Sequence, residues 1–253
     1  MAMIRFFMSL YPIDLSIAEH TTPEAYASFN DFFTRRLQLG VRKFNTDENA
    51  FCAPVDGKVY DIGEVKQGRL MQAKDHSYSL QALLGNDAAL AAKYEGGQFA
   101  AIYLAPHNYH RVHMPYAGTL REMTYVPGKL YAVNAASYQS VPGVFAANDR
   151  VICVFDTAIG PMTIILVGAM IVHGIHTAWH GLVTPGPHNT ITHWRYPEAN
   201  KMKIQLETGD ELGYFSCGST VIVLVGSNSV DWNTELSPDH RIELGCKIAN
   251  RLV

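Results

Sequence analysis

From about residue 46 onward the chain is a succession of short apolar runs rich in Val, Ile, Tyr and Phe, each bounded by Gly or Pro: GKVYDIGEV, GQFAAIYLA, VICVF, MTIILVGAMIV and GSTVIVLVG. Runs of this length between turn residues predict β-strands. The stretch 163–172 is apolar without alternation but only about ten residues long, which predicts a strand buried on both faces rather than a membrane segment. Ahead of these runs, MAMIRFFMSLYPIDL and PEAYASFNDFFTRRL predict a helical layer over residues 1–45, the second helix opening at Thr22-Pro23-Glu24, where Pro is tolerated in the first turn. In YSLQALLGNDAALAAKY, Ala and Leu predict helix and Gly85 splits it into two short pieces. The expected class is α+β and mainly β. A barrel- or sandwich-like body of antiparallel strands (46–253) would sit under an N-terminal helical, membrane-associating region (1–45).

The first stretch is interrupted by Arg5 and Pro12, well short of the roughly 20 apolar residues that span a bilayer. It lacks the small-residue cleavage site of a secretory signal. Phe6, Phe7, Met8 and Leu10 suit either a membrane interface or a helix packed on its own core. Hydrophobic residues make up 48% of the 253 and charged residues 17%, enough apolar surface for an ordered core. A formal charge of -3 gives no basic field for a phosphate polymer, so no nucleic-acid partner is expected. Cys52, Cys153, Cys217 and Cys246 are scattered, with no CxxC pair, and read as reduced thiols.

Three stretches carry candidate chemistry. In APVDGKV, Asp56 sits between Pro54 and Gly57 at the mouth of a strand, a position equally suited to an ordinary turn aspartate. PHNYHRVHMP spaces His107, His110 and His113 three apart beside Arg111. In an extended segment residues 110 and 113 point to opposite faces and take different jobs, and no Cys or carboxylate within the segment completes a ligand set, so no metal is expected. In CGSTVIVLV, Gly218 and Ser219 precede a strongly apolar strand, where glycine leaves its carbonyl open to attack, although most Gly-Ser-Thr triplets simply begin a strand.

Taken together, FNDFFTRRL, PVDGKV, YHRVHMP, YVPGKL and GSTVI, in this order over residues 26–225, resemble the hallmark segments of the phosphatidylserine decarboxylase family. The resemblance implies self-cleavage between Gly218 and Ser219 into a β subunit, 1–218, and an α subunit, 219–253. Ser219 would become a pyruvoyl group that forms a Schiff base with phosphatidylserine and releases CO2, leaving phosphatidylethanolamine. It further implies that Asp56 and His113 are partners of Ser219 in self-cleavage and that His110 serves decarboxylation. Those residue types suit the chemistry: a carboxylate, an imidazole and a hydroxyl make the usual device for activating a nucleophile, and a histidine titrates near neutral pH. A lipid substrate places the site at a membrane surface, peripheral on the cytoplasmic face of a bacterial cell, with Arg35 and Arg36 positioned to meet anionic headgroups and room for a homodimer of the αβ unit.

The sequence departs from that family at Cys217, where an apolar residue is usual, and at His173, His176 and His180 in IVHGIHTAWHG, for which no role is apparent. Two other classes compete. PVDGKV is similar to half-barrel turns of biotinyl and lipoyl carriers, but the modifiable lysine is missing and YHRVH and GST stay unexplained. A serine hydrolase using the same Asp, His and Ser lacks its G-x-S-x-G elbow.

Overall fold

The apolar runs fold as strands because their alternate residues have two separate cores to fill. The computed structural model describes residues 1–72, 76–170, 174–185, 190–197, 203–216 and 219–252. Among them, a nine-stranded antiparallel sheet runs in the order 192–195, 118–126, 150–157, 160–167, 219–225, 98–104, 57–64 and 241–242, with 205–206 also paired to 118–126. The strand Ser219–Val225 lies in the middle, hydrogen-bonded to Gln98–Leu104 on one side and Gly160–Val167 on the other. Val221, Val223 and Val225 point into one core with Ile102, Leu104, Ile164 and Leu166. Ile222 and Leu224 point into the other with Phe99, Ile165, Leu80 and Tyr94. The strand is thus buried on both faces, as is Ile164–Val167 beside it.

Smaller sheets flank this one: 111–113 with 211–215, 175–177 and 181–182, then 50–52 with 247–251 and 230–232, and a hairpin of 69–72 with 76–79. The sheets are open, and among the described residues none closes into a barrel, so of the two expected forms of the body the closed one is not adopted. The Ala- and Leu-rich stretch does split at Gly85, into Leu80–Leu83 and Ala88–Ala92. Arg150, 3% exposed, donates to the carbonyls of Ala82, Leu83 and Asn148, satisfying the orphan end of the first piece.

The N-terminal region is less helical than its sequence predicts. Ala2–Leu10 is a helix, but Pro23–Ala25 is one 3₁₀ turn and Phe29–Phe33 a single short α-helix. The reason is local: Ser28 accepts from the Asp31 amide and Asp31 reaches back to the Ala27 amide, starting a new helix there. Thr34 closes it, its hydroxyl turned back onto the Asn30 carbonyl. Ile4 of the first helix joins Leu15, Ala18, Tyr26 and Phe32 in a third small core. No helix among the described residues is long and apolar enough to cross a membrane.

Candidate active site

The strand Gln98–Leu104 organises the site, because the sequence-predicted residues gather at its end. Ser219 opposes Leu104 on one side, and Lys58, two residues after Asp56, opposes Tyr103 on the other. The Ala105 carbonyl, one residue further, meets the His110 ring. Pro54 is drawn in as well, its carbonyl accepting from the His113 amide.

Ser219 is fully buried, and its Oγ has no hydrogen-bond partner among the described residues. A buried hydroxyl without a partner forfeits solvation for nothing unless it has chemistry to do, so this atom asks for an explanation. Gly218 and Cys217 lie outside the described residues, as does His173.

His110 is also fully buried and stacked on Phe33, ring centroids 4.1 Å apart. Its Nε2 lies 3.1 Å from the Ala105 carbonyl, which can only accept, so Nε2 carries the ring proton. Nδ1 is left buried without a partner among the described residues. Burial, and next the positive charge of Arg35, push the pKa down to about 3. In the uncut chain His110 is therefore a neutral ring, not the proton donor near pH 6.5 that an unperturbed histidine would be.

His113 faces elsewhere, as the odd offset from 110 requires. Its Nδ1 donates to the Gly209 carbonyl at 2.8 Å, which leaves Nε2 to accept from the Tyr109 hydroxyl at 3.1 Å. Burial lowers its pKa, partly offset by the bond to Gly209. Asp56 and His113 are not hydrogen-bonded to each other. Asp56 instead takes a bidentate pair from Arg42, at 2.9 and 2.8 Å, and the Leu244 amide at 2.8 Å. The structure thus gathers Asp56, His110, His113 and Ser219 around one strand end and its flanking loop, without joining them into a hydrogen-bonded relay.

Arg42 and Tyr109 were not singled out by the sequence reading. Tyr109 was findable, because residues 109 and 113 of an extended segment share a face. Arg42 was not, since its contact exists only where the chain folds back at Leu244. Phe44 from the same segment lies 6.0 Å from the His113 ring. Arg35, expected to meet headgroups, is 6% exposed and donates instead to the His107 and Asn108 carbonyls. Phe32 and Phe33 are likewise core, while Arg36 remains exposed, 3.9 Å from Glu211. His176 stacks on Tyr214 and His180 lies against Trp194, at 4.3 and 4.9 Å, away from Ser219's contacts.

The sequence pattern described as phosphatidylserine decarboxylase matches residues 29–250. The chain belongs to the phosphatidylserine decarboxylase family. Among similar proteins, the phosphatidylserine decarboxylase proenzyme of Azotobacter vinelandii is 48% identical over 252 residues, covering 100% of this chain and 88% of the relative. That of Pseudomonas fluorescens is 50% identical over 244 residues, 96% and 84%. That of a Shewanella species is 47% identical over 250 residues, 98% and 86%. A match of this extent within the decarboxylase family sets aside both the biotinyl-type carrier and the serine hydrolase.

Proposed function

We propose that this chain is the proenzyme of a phosphatidylserine decarboxylase that cleaves itself between Gly218 and Ser219, making a 1–218 β subunit and a 219–253 α subunit with a pyruvoyl group at the α subunit's new end. One observation carries the reading: a buried hydroxyl with no hydrogen-bond partner among the described residues, at the first residue of the central strand of the main sheet. Attack of Ser219 Oγ on the Gly218 carbonyl shifts the acyl group from nitrogen to oxygen. Loss of the Ser219 α-proton then expels the Gly218 carboxylate, and hydrolysis of the remaining dehydroalanine releases ammonia.

The fit of a pyruvoyl group to this position rests on chemistry and support. Position 219 is a serine, its side chain is fully buried, and its strand is hydrogen-bonded on both sides, so the backbone stays in place when the bond before it is cut. When present, the group supplies a carbonyl that takes up the substrate amine and accepts the electrons released with CO2. The chain's own residues have narrower tasks. His113, with Nδ1 fixed on Gly209, presents Nε2 as a base, and Tyr109 is the hydroxyl through which it would relay a proton. Asp56 holds Arg42 and the Leu244 amide, which ties the 241–245 turn of the α subunit to the strand mouth at 56–57 of the β subunit. His110 is neutral in the uncut chain, with Nδ1 unpartnered among the described residues, and would donate a proton to the substrate α-carbon only once cleavage has changed its surroundings.

The membrane contact falls to the first helix. Met3, Phe6 and Leu10 are 59, 65 and 59% exposed, an apolar face suited to the headgroup boundary. On its other side Phe7 packs edge-on to Phe33, centroids 6.1 Å apart, and Phe33 stacks on His110. A lipid surface against that apolar face would lie two side chains from His110.

A denaturing gel of the purified protein tests the processing. The wild type runs as a large and a small piece, the small one with a blocked N-terminus, and Ser219→Ala runs as one inactive chain near 28 kDa. Normal cleavage of Ser219→Ala would remove the proposed nucleophile.

A further inference from the structure

One of the hallmark segments, YVPGKL, has no part in the chemistry above, yet it lies at the same edge of the main sheet as Ser219. The strand 118–126 ends in its first residues, and the rung there runs Val126, Arg150, Val167, Thr220, Tyr103 across neighbouring strands. Gly168 is one step past Val167, and Ser219 is one step before its partner Thr220. The Gly168 amide continues the ladder by donating to the Asp149 carbonyl at 2.8 Å.

Just beyond this edge one side chain holds two loops together. A Cβ on Gly128 would collide with the Ala147 and Asn148 carbonyls, so glycine is what lets 127–131 run against 147–149. Asn148 is fully buried. Its Oδ1 accepts from the Tyr131 amide at 3.0 Å, and its Nδ2 donates to the Tyr131 and Gly168 carbonyls, both at 2.9 Å. With both donors spent, the amide fixes Leu130 and Tyr131 beside 168–170, and the side chains of Leu130, Tyr131 and Met170 are left exposed. Single exposed apolar residues need no explanation, but a cluster fixed by a buried clamp does.

The surroundings say what covers it. The helix Ala2–Leu10 borders the same edge on the other flank. Its Phe7 packs on Phe33, which covers His110 just past Leu104, and burial and next the nearby Tyr11 raise the pKa of Tyr103 in the rung above. Ser219 thus begins its strand between two exposed apolar faces, Met3, Phe6 and Leu10 on one side and Leu130, Tyr131 and Met170 on the other. Lys129, exposed next to the second face, has no ion pair among the described residues. Apolar side chains bordered by a tyrosine and an unpaired lysine suit the headgroup boundary of an anionic bilayer; a protein partner would favour a face without the lysine.

We propose that Leu130, Tyr131 and Met170 are a second membrane-inserting face, so that the protein rests on a bilayer by both flanks of this sheet edge, with the Ser219 end of the central strand between them. This rests on the decarboxylase reading, which supplies a lipid substrate. Co-sedimentation of the whole protein with vesicles of phosphatidylglycerol and phosphatidylcholine, which hold no substrate, tests it. Leu130→Asp/Met170→Asp should bind roughly 10-fold more weakly or worse, the loss of two inserted side chains. Lys129→Gln should bind roughly fivefold more weakly, and only where phosphatidylglycerol is present. Tyr131→Trp should add emission that brominated lipids quench. For the Asp pair, the ratio of turnover on vesicles of phosphatidylserine to turnover on a monomeric short-chain phosphatidylserine should fall with the binding.

Unchanged binding of the Asp pair would leave the first helix as the whole anchor. A changed particle size on gel filtration with vesicle binding intact would make the face a contact between copies of the chain. Either result overturns the proposal. Should the Asp pair fail to fold, Tyr131→Trp decides, and added emission untouched by brominated lipid rejects the face. The binding test needs no turnover, so a wild type that binds through these side chains yet releases no CO2 from the short-chain substrate counts against the decarboxylase reading alone.

Discussion

At the scale of single residues, burial decides which proton sits where. His110 and His113 both have their pKa lowered chiefly by burial, and His110 is taken to about 3. An unfolded histidine titrates near 6.5. Between those values the unfolded chain binds a proton that the folded chain refuses, so stability is present above pH 6.5 and is lost as pH falls toward 3. One such group contributes a slope of up to about 1.4 kcal/mol per pH unit in that window. Urea unfolding of the uncut Ser219→Ala chain, repeated from pH 7 to pH 4, should show stability falling with pH. The same series in Ser219→Ala/His110→Gln should fall less steeply by up to that amount, and equal slopes would mean His110 is protonated in the folded chain. It follows that any acid role of His110 needs a change in its surroundings after cleavage, since the site as folded holds it neutral.

At the scale of elements, what was legible in the sequence was whatever one element carries alone. The five apolar runs are strands because each is short, rich in β-branched and aromatic residues and bounded by turn residues, and GSTVIVLVG is buried on both faces because its neighbours come from the same pattern. The helical reading of residues 1–45 overreached because Phe32, Phe33 and Tyr26 are apolar for the sake of packing under the first helix, not along a long amphipathic helix. The glycine of PVDGKV shows the other limit. A Cβ on Gly57 would stand 2.6 Å from the Tyr103 carbonyl and 2.8 Å from Ile102 Cγ2, so the two strands approach too closely there for any side chain. Gly63, in the same strand, has only the Phe99 ring edge at 3.6 Å. Gly57→Ala should therefore push Asp56 off its place, lowering stability and slowing self-cleavage, while Gly63→Ala should mature at the wild-type rate. Cleavage time courses on denaturing gels would show it, and equal rates for the two variants would refute a steric role for the contact.

At the scale of the whole molecule, pairs such as Asp56 with the Leu244 amide were illegible because the segment 219–252 returns to the rest of the chain three times. Ser219–Val225 fills the centre of the main sheet, Arg241–Ile242 pairs with Gly57–Lys58, and Lys247–Arg251 pairs with Ala50–Cys52. Contacts spread over that much sequence leave no local signature. They also fix what cutting the chain can do. Removing one covalent bond at residue 218 leaves the ladders on both sides of the central strand intact, with Leu224, Val223 and Ile222 in two cores at once. Exposing that strand would open both cores and strip two rows of hydrogen bonds, a cost far above the chain entropy released by the cut. The mature subunits should accordingly co-elute as one particle on gel filtration in native buffer and part only in denaturant, in the same cooperative step that unfolds the sheet. The 1–218 segment expressed alone should lack its central strand, expose apolar edges and aggregate. Recovery of a soluble, folded 1–218 would show that the small subunit is an attachment and not the middle of the fold.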